Sequence, residues 1–167
     1  MIAKKITNKK EFMSKLLASE SFGSFFVEQA TIDTFNTFTI DGRTHKDFYK
    51  NDADYIDDSA FEEYSTWSLL RPVCYDLIKG KRTPLGFKFV FLCDKETKSK
   101  IIEQSGSGLT PDQVNLGLNI RFSAGNVIIT TGCAYSVFTL DKAIEKAWDE
   151  YIPSFLTSFG IEYDDYE

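Results

Sequence analysis

The side chains that most often carry chemistry are scarce in this chain: one histidine, His45, and three cysteines, Cys74, Cys93 and Cys133, among 167 residues. An imidazole beside a thiol can take its proton and leave a nucleophilic thiolate. His45 is the only imidazole for such a pair or for a Ser-His-Asp set, and no G-x-S-x-G turn is present. Cys74 and Cys93 stand in apolar stretches that suit buried, inert thiols. The cysteines are odd in number, widely spaced and lack a C-x-x-C pair, so neither a disulfide framework nor a structural zinc site is expected. No metal and no cofactor follow from this set.

Cations offer a second chemistry. Lys79, Lys81 and Arg82 flank Gly80, and such a cluster on a turn can hold a phosphate or carboxylate through charge-assisted hydrogen bonds. The G-x-x-x-x-G-K-[ST] spacing is absent, and cations at the end of a helix also offset its partial negative charge. Together with Arg43 and Arg121 they form the candidate anion-binding set. Asp52, Asp54 and Glu63 have the outer spacing of a calcium loop. Ile56 stands at its fifth position and Asp57 where the sharp turn needs glycine, so calcium binding is not expected. The adjacent acids Glu62 and Glu63, and Asp164 and Asp165, read as solvated charge, and Tyr163 and Tyr166 can dock the C-terminus on the body.

The formal net charge is −6, from 25 acids against 19 Lys and Arg. Ten of the acids fall in an acidic loop at 51–63 and an acidic tail at 160–167, neither of which holds a cation; the rest of the chain carries an excess of four positive charges. A mildly basic body with acidic segments is expected, in which the loop and tail are either solvated or cover a basic surface.

The elements that must position these groups follow from periodicity. Ile2 to Ile6 is a short candidate strand. Asn8 and Glu11 have helix-start spacing, and Phe12, Met13, Leu16 and Leu17 recur at helical intervals, which predicts a helix over 8–18. Residues 25–40 are rich in Phe, Thr, Val and Ile and read as β. Asp41-Gly42 predicts a tight hairpin joining 38–40 to 43–49. Trp67, Leu70, Val73, Cys74, Leu77 and Ile78 form a second helical stripe ending at Gly80, with Ser68 as N-cap and Pro72 near the start. Residues 85–93 put Phe87, Phe89 and Phe91 on one face, and the other face is also mostly apolar, which predicts a central, well-covered strand. Asp94 caps a helix to about Gln104, followed by a flexible Ser-Gly break and a capped turn at Thr110 to Gln113. Strands are predicted at 116–122, 127–131 and 135–140, with a turn at 124–126. A last helix, capped by Asp141 and kinked at Pro153, carries Ile144, Trp148, Ile152 and Phe155.

The resulting fold class is α+β, a mainly antiparallel sheet with packed helices, in one domain spanning 1–167. Strand, helix, strands, helix occurs twice, over 2–79 and 85–159, as two topologically similar halves without matching residues, so an internal duplication is expected. That element order resembles one domain of the DNA sliding clamps, although no clamp motif accompanies it. Three segments, Thr34-Phe35-Asn36-Thr37-Phe38-Thr39-Ile40-Asp41-Gly42-Arg43, Leu77-Ile78-Lys79-Gly80-Lys81-Arg82-Thr83-Pro84 and Phe138-Thr139-Leu140-Asp141-Lys142, are similar to a family of uncharacterised small bacterial proteins. This is a domain family of unknown function from Gram-positive anaerobes, and the similarity runs over nearly the full length. The resemblance implies no activity, ligand or catalytic residue.

No apolar run reaches the roughly 20 residues that span a bilayer, and no secretion signal follows the N-terminal lysines, so a cytoplasmic protein without membrane contact is expected. The missing catalytic sets and the 15% aromatic content point first to a non-enzymatic binding or assembly module, with a protein partner or self-association. An anion or nucleic-acid accessory protein with a sliding-clamp-like topology, using Arg43, Lys79, Lys81, Arg82 and Arg121, is the second reading. A cysteine-dependent enzyme, with His45 in reach of a thiol, is the third.

Overall fold

The computed structural model describes residues 1–51 and 61–167. Most of the predicted acidic loop, including Asp52, Asp54 and Asp57 of the calcium-like pattern, lies outside the described residues. The chain runs β1 (Ala3–Ile6), α1 (Lys9–Leu17), β2 (Phe26–Asp33), β3 (Thr37–Asp41), α2 (Trp67–Ile78), β4 (Gly86–Leu92), α3 (Lys95–Ser105), β5 (Val114–Ser123), β6 (Asn126–Tyr135), α4 (Ala143–Ser158) and β7 (Tyr163–Asp165). The seven strands of the described residues join one antiparallel sheet in the order β3-β2-β4-β5-β6-β1-β7.

Side-chain alternation decides which face of this sheet is core. Phe87, Phe89 and Phe91 of β4, Leu116, Leu118 and Ile120 of β5, and Val127 and Ile129 of β6 all point to one side, where they are buried with residues of all four helices. Phe12 and Leu16 arrive from α1, Trp67 and Cys74 from α2, Ile101 and Ile102 from α3, and Trp148, Ile152 and Leu156 from α4. The two tryptophans bring a polar atom into this layer and satisfy it. The indole N–H of Trp67 donates to the Leu16 carbonyl and that of Trp148 to the Gly117 carbonyl, each at 2.9 Å. The helices therefore cover one face only. The opposite face, which includes Lys88, Asn119, Arg121 and Thr130, is open, so β4 is central in the sheet but covered on one side, not on both as its sequence suggested.

Local signals placed most helix boundaries. The Asn8 side chain accepts from the Glu11 N–H at 3.1 Å and the Asp94 side chain from the Thr97 N–H at 2.9 Å, satisfying donors that the first helical turn leaves free. Gly106 ends α3 at φ 72°. In α2 the cap is Thr66 rather than Ser68, and Pro72 lies inside the helix. Lys142 is the N-cap of α4, while the Asp141 side chain accepts from the Ala143 N–H at 2.9 Å.

The hairpin at Asp41-Gly42 does not form. Strand β3 instead turns back on β2 through Thr34 to Asn36, closed by the Thr34 N–H donating to the Asn36 carbonyl at 3.0 Å. Gly42 is required for closeness and not for a positive φ: a Cβ there would lie 1.7 Å from the Val27 carbonyl oxygen. At this crossing the Gly42 N–H donates to the Glu28 carbonyl, and the Gly42 carbonyl accepts from the Ser65 N–H at 2.8 Å. Residues 46–49 then form a 3-10 turn instead of a strand. The tight two-residue turn sits at Ala124-Gly125, with φ of 51° and 79°, where it joins β5 to β6. Strand β6 continues unbroken to Tyr135, and residues 136–140, expected as a strand, are irregular.

The repeated element order is not accompanied by repeated pairing. Strand β4 pairs with β5, the strand after its helix, whereas β1 pairs with β6 and β7 and is separated from β2 by three strands.

Candidate functional site

Three cations of the open face stand in one row, while the carboxylates of Asp33 and Glu28 line hollows on either side of it. Antiparallel register places Lys88 of β4 directly opposite Arg121 of β5, Arg121 opposite Ile128 of β6, and Ile128 opposite Lys5 of β1. Strands lie about 4.8 Å apart, so Arg121 adjoins Lys88 and stands on the order of 10 Å from Lys5. All three cations are exposed, and among the described residues none of them makes an ion pair. Asp164 of β7 faces Lys5 and ends the row. Like charges directly opposite each other on a sheet are unfavourable, so the Lys88 and Arg121 pair is not explained by stability.

The row lines a concavity of about 680 Å³ that is also lined by Asn119, Ser123, Asn126, Thr130 and Tyr166. A second concavity of about 610 Å³ shares Lys88, Arg121 and Ser123 and is walled by Phe35 and Leu85; a third of about 270 Å³ shares Asn119 and is bordered by Tyr64. Gly117 of β5 and Gly132 of β6 are cross-strand partners in this third hollow, where the missing side chains leave the sheet backbone bare. Guanidinium, ammonium, amide and hydroxyl groups thus converge on one surface, a combination that binds phosphate or carboxylate oxygens.

The five cations singled out in the sequence do not share one site: three line one hollow, and the other two stand apart. Arg121 alone lies in this row. Lys79, Lys81 and Arg82 line a smaller hollow of about 250 Å³ with Met13, Leu17 and Phe87, where Lys79 is held by Asp76 at 3.0 Å. Arg43 forms a bridge with Tyr64 and lies over its ring, 6.0 Å from the centroid. Lys5 and Lys88 were missed. Their signal was parity: in Phe87-Lys88-Phe89 and Ile120-Arg121-Phe122 the cation faces away from two buried neighbours, but only register could show that the two coincide.

The thiols are poorly suited to nucleophilic work. Burial pushes Cys74 up to about 12 and drives Cys93 well above the ordinary thiol range, with Asp94 adding to the effect. Burial, then the carboxylates of Glu145 and Asp149, push Cys133 up to about 11. His45 is exposed before the 3-10 turn, and no hydrogen bond joins it to a cysteine among the described residues. Among those residues, no group of three or more His, Cys, Asp or Glu side chains could hold a metal ion, and no helix is long and apolar enough to cross a membrane.

Residues 15–164 match a family of unknown function (DUF5721). No curated protein and no solved structure matches the chain.

Proposed function

The chain belongs to that family of unknown function, which assigns no chemistry, and from the geometry we propose that the protein is a non-enzymatic binding module whose open sheet face holds an anionic ligand. The carrying observation is the row of Lys88, Arg121 and Lys5, in which Lys88 and Arg121 are directly opposed like charges without an ion pair among the described residues, at a polar concavity. A bound anion supplies a direct partner to Lys88 and Arg121, which make no ion pair among the described residues, and the surrounding amide and hydroxyl groups can donate further hydrogen bonds to it. Protonated, buried thiols and an exposed, separate imidazole support the non-enzymatic side of the reading.

Titration calorimetry with tripolyphosphate tests it. The full chain is expected to bind, and Lys88→Ala/Arg121→Ala to lose at least tenfold in affinity. Absence of binding, or equal binding by the double variant, overturns the reading.

A protein-partner reading has its own observation. Leu69, Pro72 and Val73 recur at helical spacing on the exposed side of α2, forming an apolar stripe away from the cation row. Self-association through this stripe predicts a dimer in sedimentation velocity that Leu69→Asp/Val73→Asp returns to monomer; a wild-type monomer at all accessible concentrations refutes it.

A further inference from the structure

We propose that the anion held by the open sheet face is the backbone of a single-stranded nucleic acid, laid along β5 and β6 with bases stacked on Tyr166 and Phe35. This rests on the anion-binding reading above and adds the ligand class. A compact anion needs one hollow, but here three are continuous: the first shares Lys88, Arg121 and Ser123 with the second and Asn119 with the third. Between Asn115 and Ser123 the surface follows β5 for roughly 26 Å at about 3.3 Å per residue, room for several nucleotides.

Each hollow also has an aromatic ring at its border. Tyr166 stands beside the cation row and is 48% exposed; Phe35 walls the second hollow and is 82% exposed; Tyr64 borders the third. In the first two hollows exposed rings stand beside Lys88 and Arg121, which is what splayed bases need, since any base can stack while its phosphate meets an ammonium or guanidinium; the third, with half-buried Tyr64 and Glu28, offers amides and bare backbone and no cation among the described residues. The main chain at Tyr166 is tied to β1 by its N–H, which donates to the Ala3 carbonyl at 3.1 Å, and the Phe35 ring meets Phe38 edge-on with centroids 5.5 Å apart. Asn119 and Asn126 supply amides that can donate to and accept from base edges. A paired duplex hides its base faces and leaves these rings unused.

The test is fluorescence anisotropy on the full chain with labelled dT12, a 12-base-pair duplex as comparator and tripolyphosphate as competitor. The single strand is expected to bind at least tenfold more tightly than the duplex. Lys88→Ala/Arg121→Ala should weaken strand binding and flatten the slope of log affinity against log salt by about 1.4, the effect of two lost phosphate contacts. Tyr166→Ala should weaken dT12 binding about fivefold or more while leaving tripolyphosphate affinity unchanged. If tripolyphosphate binds through the row but the strand binds no better than the duplex, or Tyr166→Ala leaves it unaltered, the nucleic-acid inference falls and the anion reading stands. If neither probe responds to loss of Lys88 and Arg121, both fall.

Discussion

Lys88 and Arg121 face each other as direct cross-strand partners on the open side of the sheet, and neither makes an ion pair among the described residues. Repulsion between such neighbours opposes folding, so the pair sets stability against binding. Arg121→Glu turns it into an attractive pair. The expected outcome is a stability gain of roughly 0.5 kcal/mol at low salt, read as a higher urea midpoint with unchanged m, together with loss of anion affinity. A lower midpoint would show that the arginine serves the fold.

Glycine at 42 is required by packing. Gly42→Ala would place a methyl 1.7 Å from the Val27 carbonyl oxygen, in backbone that cannot swing aside as a side chain does. A loss of at least about 3 kcal/mol is expected, in the range of severe overpacking. Gly132→Ala is the control, because no atom lies within 4 Å of its would-be Cβ, and its cost should stay below about 1 kcal/mol. Equal urea midpoints for the two variants would contradict the close crossing.

Raised thiol values make stability fall in alkali. Folding pushes Cys133 up to about 11 and Cys74 up to about 12, so the native state keeps these protons after unfolded thiols, near 8.5, have lost theirs. Their contribution is complete below the unfolded value and is lost as pH rises toward the folded ones. Urea midpoints should therefore decline between pH 8 and pH 10.5, and the decline should lessen in Cys74→Ala/Cys133→Ala. A disulfide reagent at pH 8 should label the folded protein far more slowly than the unfolded one.

The buried hydroxyl of Thr131 joins β6 to α4. It accepts from the Ile2 N–H at 2.9 Å and donates to the Asp149 carboxylate, with only 1% of the residue exposed. Thr131→Val keeps the shape but strands the Ile2 donor and removes a partner from Asp149, at an expected cost of about 1–3 kcal/mol. Thermal or urea unfolding measures it, and an unchanged midpoint would mean that water replaces the hydroxyl without loss.

Where a signal is local, the chain announced its own structure. The caps at Asn8 and Asp94, the end of α3 close to Gln104 and the alternation of Phe87, Phe89 and Phe91 each depend on atoms a few residues apart, and they formed where the residue types predicted. The α+β class followed from these periods. The Asp41-Gly42 hairpin failed because a turn pair can serve either a positive φ or a close crossing, and the crossing partner, Val27, is set by a register that residues 41 and 42 do not encode.

The candidate site belongs to the second kind of information. Parity along each strand already put Lys88 and Arg121 opposite to the core, and Lys5 beside a buried Ile6, but their meeting depends on β1 pairing with β6, with strands β2 to β5 lying between them in the chain. Arg121 in turn stands apart from Arg43 and from Lys79, Lys81 and Arg82, which linear charge counting had grouped. Composition and period determined most of the helices and strands and the core side of most of them, because those choices are decided by burial of neighbouring side chains; β4, read as covered on both faces, and the strands expected at 43–49 and 136–140 are the exceptions. Strand order, register and the one-sided covering of the sheet were decided by long-range pairing, and only that pairing turned three scattered cations into a single charged row.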